Sequence, residues 1–132
     1  MSGESANIHT ETVSYTANGT TLKGYLAYDE GADGERPGVL VVHEWWGLND
    51  YIRRRARMLA ELGYTALAVD MYGAGQTADN PDAAGRLMNT VVQDMRQGEV
   101  RLKAGYELLK DQSTTDAAHV AAIGYCFGGA MV

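Results

Sequence analysis

Val120-Ala121-Ala122-Ile123, continuing into Gly124-Tyr125-Cys126-Phe127-Gly128-Gly129, is the stretch whose reading decides the fold. The four apolar residues predict a short buried strand, and Ala130-Met131-Val132 beyond them predict the opening of a helix. A nucleophile on a tight strand-to-helix turn needs glycine two residues before it and two after it. A side chain at either place collides where strand and helix nearly touch. Gly124 and Gly128 stand at those places around Cys126, where serine is commoner. A thiolate there sits at a helix N-terminus, whose backbone dipoles favour negative charge. The same residues also suit a buried structural cysteine among permissive glycines, so the rest of the chain has to decide.

Working back toward the N-terminus, His119 to Ile123 is the third of three apolar strands. The first is Val39-Leu40-Val41-Val42, continuously apolar as in a parallel sheet covered on both faces, and the second is Thr65 to Asp70. Between the first two, a helix begins at about Asp50, capped by Asn49 or Asp50, with Ile52, Ala56, Leu59 and Ala60 on one face and Gly63 ending it. Asn80-Pro81 starts another helix, with Ala84, Leu87, Met88, Val91 and Val92 as its stripe. A third runs from about Met95 to Lys110, opened by the capping pair Asp94 and Gln97. Val100, Ala104 and Leu108 share a face, with Leu102, Tyr106 and Leu109 beside it. Before all of these, Thr10–Ala17 and Thr20–Tyr28 flank Asn18-Gly19, a hairpin signal, and residues 31–37 read as a loop.

Strands alternating with helices imply an α/β fold with right-handed crossovers, and such sheets bind ligands beyond the carboxyl ends of their strands. To that one edge the strands deliver Glu44 and Trp45, then Asp70 and Tyr72, then Cys126. This convergence favours a catalytic Cys126 over a structural one. His43, still on its strand, reads as a packing histidine. His119 at a strand start and His9 in the N-terminal arm are not placed to act as a base that follows the nucleophile in chain order.

The 132 residues are 45% hydrophobic and 21% charged, which suits one domain, residues 1–132, with residues 1–9 loose. A net charge of −6 argues against nucleic acid or an anionic membrane as partner. The longest basic run, Arg53-Arg54-Arg55, reads as a solvated helix face. One cysteine excludes an internal disulfide and a cysteine-rich zinc cluster, and no metal or cofactor is expected. No apolar run approaches the roughly 20 residues of a membrane span. The N-terminus lacks the basic start and apolar core of a signal peptide, so a cytoplasmic location is expected.

The chain resembles the dienelactone hydrolase family of the α/β-hydrolase fold from Thr10 to Val132. The resemblance rests on His43-Glu44-Trp45-Trp46-Gly47-Leu48-Asn49, Asp70-Met71-Tyr72 and the glycine-cysteine turn, in that order and spacing. It implies that the strand ending at His43 lies between the other two. Neighbouring strands are about 4.8 Å apart, so Glu44 and Cys126 would meet. It also implies a cysteine nucleophile, Cys126, and Glu44 as the carboxylate that governs its proton. A free thiol titrates near pH 8.5, and an adjacent carboxylate raises that value, protecting the resting thiol. The oxyanion hole of such a fold is built from backbone N–H groups, here those of Phe127 and Trp45. Trp46 and Tyr72 are expected in the substrate pocket, and the substrate is a small-molecule ester or lactone.

Two departures from the family qualify this. The best-known members carry a carboxylate-binding arginine two residues after the tyrosine matching Tyr72, where this chain has Ala74. The family's histidine base and orienting acid lie well beyond the nucleophile, so they are expected past Val132, in a missing C-terminal half. The strand before Cys126 is then a sheet edge, open to pairing with that half or with a second chain. The competing reading is a non-catalytic fragment or binding module needing a complementary chain. A nucleotide-binding domain is disfavoured, because Glu44-Trp45-Trp46-Gly47 stands where its glycine fingerprint belongs.

Overall fold

The computed structural model describes residues 7–32 and 34–125. Cys126, Phe127 and the turn around them lie outside the described residues, as do residues 1–6. Among the described residues the order is β1 (Ile8–Ala17), β2 (Thr20–Asp29), β3 (Arg36–Val42), α1 (Asp50–Glu61), β4 (Thr65–Val69), α2 (Pro81–Gln93), α3 (Met95–Lys110) and β5 (Thr115–Gly124). One sheet runs β1-β2-β4-β3-β5, parallel from β4 through β3 to β5 and antiparallel at β1 and β2. As expected, the strand ending before His43 lies between the other two.

The β1–β2 turn follows from its residues. Asn18 (φ 48°) and Gly19 (φ 82°) both adopt left-handed backbone, which a two-residue hairpin turn of matching twist requires. Asn49 caps α1, its side chain accepting from the Ile52 N–H at 3.2 Å, and Gly63 (φ 104°) follows its C-cap. Asn80 caps α2 and Asp94 caps α3 in the same way, at 2.9 and 3.1 Å.

Period-two alternation sends β3 and β4 side chains to opposite faces. Val39, Val41, Ala66 and Ala68 face α1 and bury Ile52, Ala56 and Ala60. Leu40, Val42, Leu67 and Val69 face the other way, into a core with Val91 of α2 and Leu109 of α3. The chain steps from β3 to β4 in one direction and from β4 to β5 in the other. Crossovers of one hand must then lie on opposite faces.

Several expectations are corrected here. Ile8 and His9 belong to β1, opposite Asp29 and Tyr28. Arg36 and Pro37 belong to β3, not to the loop before it. The strand expected at His119–Ile123 starts at Thr115 and is not buried: among the described residues it pairs with β3 alone, and Ile123 is 37% exposed. The expectation of an open edge there holds. On α2, Val92 is exposed. On α3 the buried line is Gly98, Arg101, Gly105 and Leu109, one step round from Val100, Ala104 and Leu108. The Arg53–Arg55 run is not simply solvated, because Arg53 pairs with Asp50 at 2.6 Å and Arg55 lies half-buried.

Candidate active site

The register of the parallel strands sets the geometry of the site. Val42 is level with Val69 on one side and with Gly124 on the other. His43-Glu44-Trp45, Asp70-Met71-Tyr72 and Tyr125 therefore leave the sheet at a common height. Tyr125 continues the ladder by donating its N–H to the Val42 carbonyl at 3.2 Å.

The His43 imidazole is fully buried between the first two loops. Its Nδ1 meets the Glu44 carbonyl at 2.6 Å, and its Nε2 accepts from the Met71 N–H at 3.0 Å. The second bond needs a bare Nε2, so the proton resides on Nδ1. Burial pushes the imidazole below the usual histidine range, only partly opposed by the Glu44 carbonyl and the Asp70 charge. This is a neutral, cross-linking histidine, as the sequence suggested.

Tyr72 is buried too, its ring 4.8 Å from that of His43 and its hydroxyl donating to the Trp45 carbonyl at 2.8 Å. Desolvation pushes the phenol up to about 12, so it stays a donor throughout the physiological range. Trp45 packs against the core beneath, and its ring lies 5.3 Å from that of Trp46. Trp46, half-buried, lines an open cleft of about 660 Å³ together with Asn49, Thr77, Ala78 and Asp79. The expected wall residues thus divide: Trp46 borders open space, while Tyr72 holds the Trp45 peptide from inside. Glu44 is half-buried at the head of the same loop, and its carbonyl also accepts from the Gly47 N–H at 3.1 Å.

Two anchors of the loop after β4 escaped the sequence reading. The buried Asp70 carboxylate accepts from the backbone N–H groups of Tyr72 (3.1 Å), Gly73 (2.9 Å), Gly75 (2.8 Å) and Lys23 (3.0 Å). It thereby stabilises the left-handed run Gly73, Ala74, Gly75. Glycines at 73 and 75 after an aspartate were the signal available. Arg101 reaches from α3 to donate to the Met71 carbonyl at 2.7 Å, and an arginine interrupting an apolar helix face was its signal. The two loops also touch directly. Ala78 donates to the Trp46 carbonyl at 2.9 Å, and a Cβ on Gly47 would lie 2.7 Å from the Gln76 carbonyl oxygen.

Among the described residues no cluster of three histidine, cysteine or acidic side chains could hold a metal ion. Nor is any described helix long and apolar enough to cross a membrane.

Known proteins are similar to this chain in sequence and in fold. A putative carboxymethylenebutenolidase of Aquifex aeolicus is 40% identical over 124 residues, covering 90% of this chain and 52% of its own. Protein usf of Aquifex pyrophilus is 36% identical over 123 residues, with the same coverage. Among solved structures, a dienelactone hydrolase-like promiscuous phosphotriesterase from metagenomic libraries superposes with a TM-score of 0.90 at 40% identity, covering 95% of this chain and 52% of its own. The chain thus spans about half the length of these relatives. The family model of dienelactone hydrolases matches residues 22–132, from β2 through the glycine-cysteine turn. On that match and these likenesses, the chain belongs to the dienelactone hydrolase family.

Proposed function

We propose that this chain forms the nucleophile-bearing part of a hydrolase that cleaves a small-molecule ester or lactone through Cys126. The thiolate attacks the carbonyl carbon, the carbon–oxygen bond breaks, and the alkoxide leaves with a proton. Water then hydrolyses the thioester and regenerates the thiol. Glu44 takes the thiol proton when substrate arrives. The N–H groups of Trp45 and Phe127 stabilise the oxyanion, and Trp46 borders the substrate. Tyr72 supports this by fixing the peptide that follows Trp45 through its carbonyl. The histidine base and orienting acid are proposed to come from sequence corresponding to the remaining half of the relatives. Ala74, in place of the family's arginine, argues against a substrate recognised there by its carboxylate.

The observation that carries the reading is the register of Val42 with Gly124 on adjacent strands. Glu44 and Cys126 each lie two residues further along. Neighbouring strands are about 4.8 Å apart, which supports the reading that an acid and a thiol following them act on one another. The test is turnover of an aryl ester and a neutral lactone by the full-length protein. Cys126→Ala is expected to lower kcat by about a thousandfold or more, as loss of a nucleophile does. Glu44→Gln is expected to cost about ten- to a hundredfold, within the range of a lost proton-transfer group. Unchanged turnover in Cys126→Ala would remove Cys126 as the nucleophile, whereas no turnover of either substrate by the folded full-length protein would favour the binding module.

A further inference from the structure

Period-two alternation on β2 sends Lys23 and Tyr25 to the α1 side of the sheet, and the β1 register sets Thr12 directly opposite Tyr25. Arg53, in the first turn of α1, and the Ala74-Gly75 backbone complete the walls of a recess of about 210 Å³. Sites for drug-sized ligands run to roughly 300–1,000 Å³, so this one suits a smaller group. The chain carries a net charge of −6, yet two cations and, among the described residues, no acidic side chain line the recess.

The lining donors keep capacity for a ligand. The Lys23 ammonium has no hydrogen-bond or ion-pair partner among the described residues. Its stem lies along Gly75, where a Cβ would stand 3.4 Å from the Lys23 Cδ. Arg53 donates to Asp50 at 2.6 Å and to the Leu48 carbonyl at 3.4 Å, which leaves the rest of its fork. Asp50 is fully exposed, so that surface pair is weak and yields to a better anion. The Tyr25 hydroxyl accepts from Arg57 at 3.0 Å and turns its own hydrogen elsewhere. The N–H groups of Ala74 and Gly75 are already committed, to the Thr21 carbonyl and to Asp70, so recognition falls to the side chains.

We propose that this recess binds a small oxyanion, the carboxylate or phosphate group of a ligand, between Lys23 and Arg53, with the Tyr25 and Thr12 hydroxyls donating to it. A guanidinium meets such a group with two parallel N–H bonds, and an ammonium adds charge without fixed geometry. The recess shares no lining residue with the cleft bordered by Trp46, so the site is separate from the proposed chemistry and stands without Cys126. An anion held there links β2, the start of α1 and the loop after β4.

The test is calorimetric titration of the full-length protein with inorganic phosphate and with succinate, at fixed pH and ionic strength. Saturable binding is expected: of phosphate alone if the ligand group is a phosphate, of succinate alone if it is a carboxylate, of both if the site takes either. Lys23→Met and Arg53→Met are each expected to weaken it about tenfold or more, as loss of a charged hydrogen-bond partner does. Arg53→Lys should keep only part of the affinity, because the planar fork is gone. Asp50→Asn removes the competing carboxylate and should tighten binding about two- to fivefold. Arg54→Met deletes the same charge from an exposed position outside the recess and should leave the affinity unchanged. The bound anion should also raise the melting temperature of the parent but not of the Lys23→Met/Arg53→Met double variant, whose own melting transition reports that it is folded. Saturable binding of neither anion, or equal weakening by Arg54→Met and Arg53→Met, overturns the proposal.

Discussion

Burial takes the His43 imidazole out of water, and both of its nitrogens are committed to backbone groups on loops far apart in the sequence. In the unfolded chain this side chain gains a proton near pH 6.5, whereas in the folded protein the proton is resisted. The unfolded state therefore binds more protons as pH falls through 6.5, and stability must drop with it. The slope from this one group approaches about 1.4 kcal/mol per pH unit. Urea titrations between about pH 7.5 and pH 5 should show this fall. His43→Phe should flatten it while lowering stability at pH 7.5 by about 2–3 kcal/mol, because the Met71 N–H and the Glu44 carbonyl each lose a partner. A pH dependence undiminished in that variant would remove His43 as its source. At this scale the sequence was informative about identity and weak about partners. It marked His43 as structural, yet the bond to Met71 spans 28 positions, a distance no local pattern encodes.

At the scale of elements, α3 shows most clearly what patterning leaves out. Its boundaries and cap were legible from Asp94 and Gln97, because capping is decided within one turn. Its buried face was not, because that face is built from Gly98, Arg101 and Gly105 as well as Leu109, and glycine and arginine carry no apolar signal. Gly105 is the contact point. A Cβ there would stand 2.5 Å from Val69 Cγ1 and 3.4 Å from the Tyr15 hydroxyl. The valine is stiff at χ1 and cannot swing clear. Gly105→Ala gains about 1 kcal/mol in helix propensity but meets an overpacking cost of about 1–3 kcal/mol. A net loss of stability is expected in chemical denaturation, and a gain would show that α3 is free to lift from the sheet. β5 makes the complementary point. Its apolar run reads as a buried strand, but in a chain spanning about half the length of its relatives it lies at the sheet edge among the described residues. After Asp116 the ladder with β3 skips to Val120, and the Asp116 carboxylate binds the Ala118 N–H and the His119 ring across the bulge.

Over the molecule as described, the sheet has β1 at one edge and β5 at the other. β5 offers unpaired backbone groups beside half-exposed apolar side chains, and the bulge protects only its first part. The 132-residue chain made alone is expected to self-associate, its mean mass in sedimentation rising with concentration. Ala121→Lys should suppress this, as a charge on an open edge does. A strictly monomeric parent chain would remove the edge as an association site.

What the amino-acid order determined by itself is what lies within a few residues: the Asn18-Gly19 turn, the caps at Asn49, Asn80 and Asp94, the alternation of strands and helices, and the motifs by which the family is recognised. The strand order followed from the resemblance those motifs carried. Only the tertiary structure decided that α3 turns glycines and an arginine inward, that Asp70 gathers four backbone N–H groups, and that His43 bonds to Met71 across two loops. The reason is physical: turns and caps are settled by neighbours in the chain, whereas burial and cross-loop hydrogen bonds depend on groups that become neighbours only when the sheet has formed.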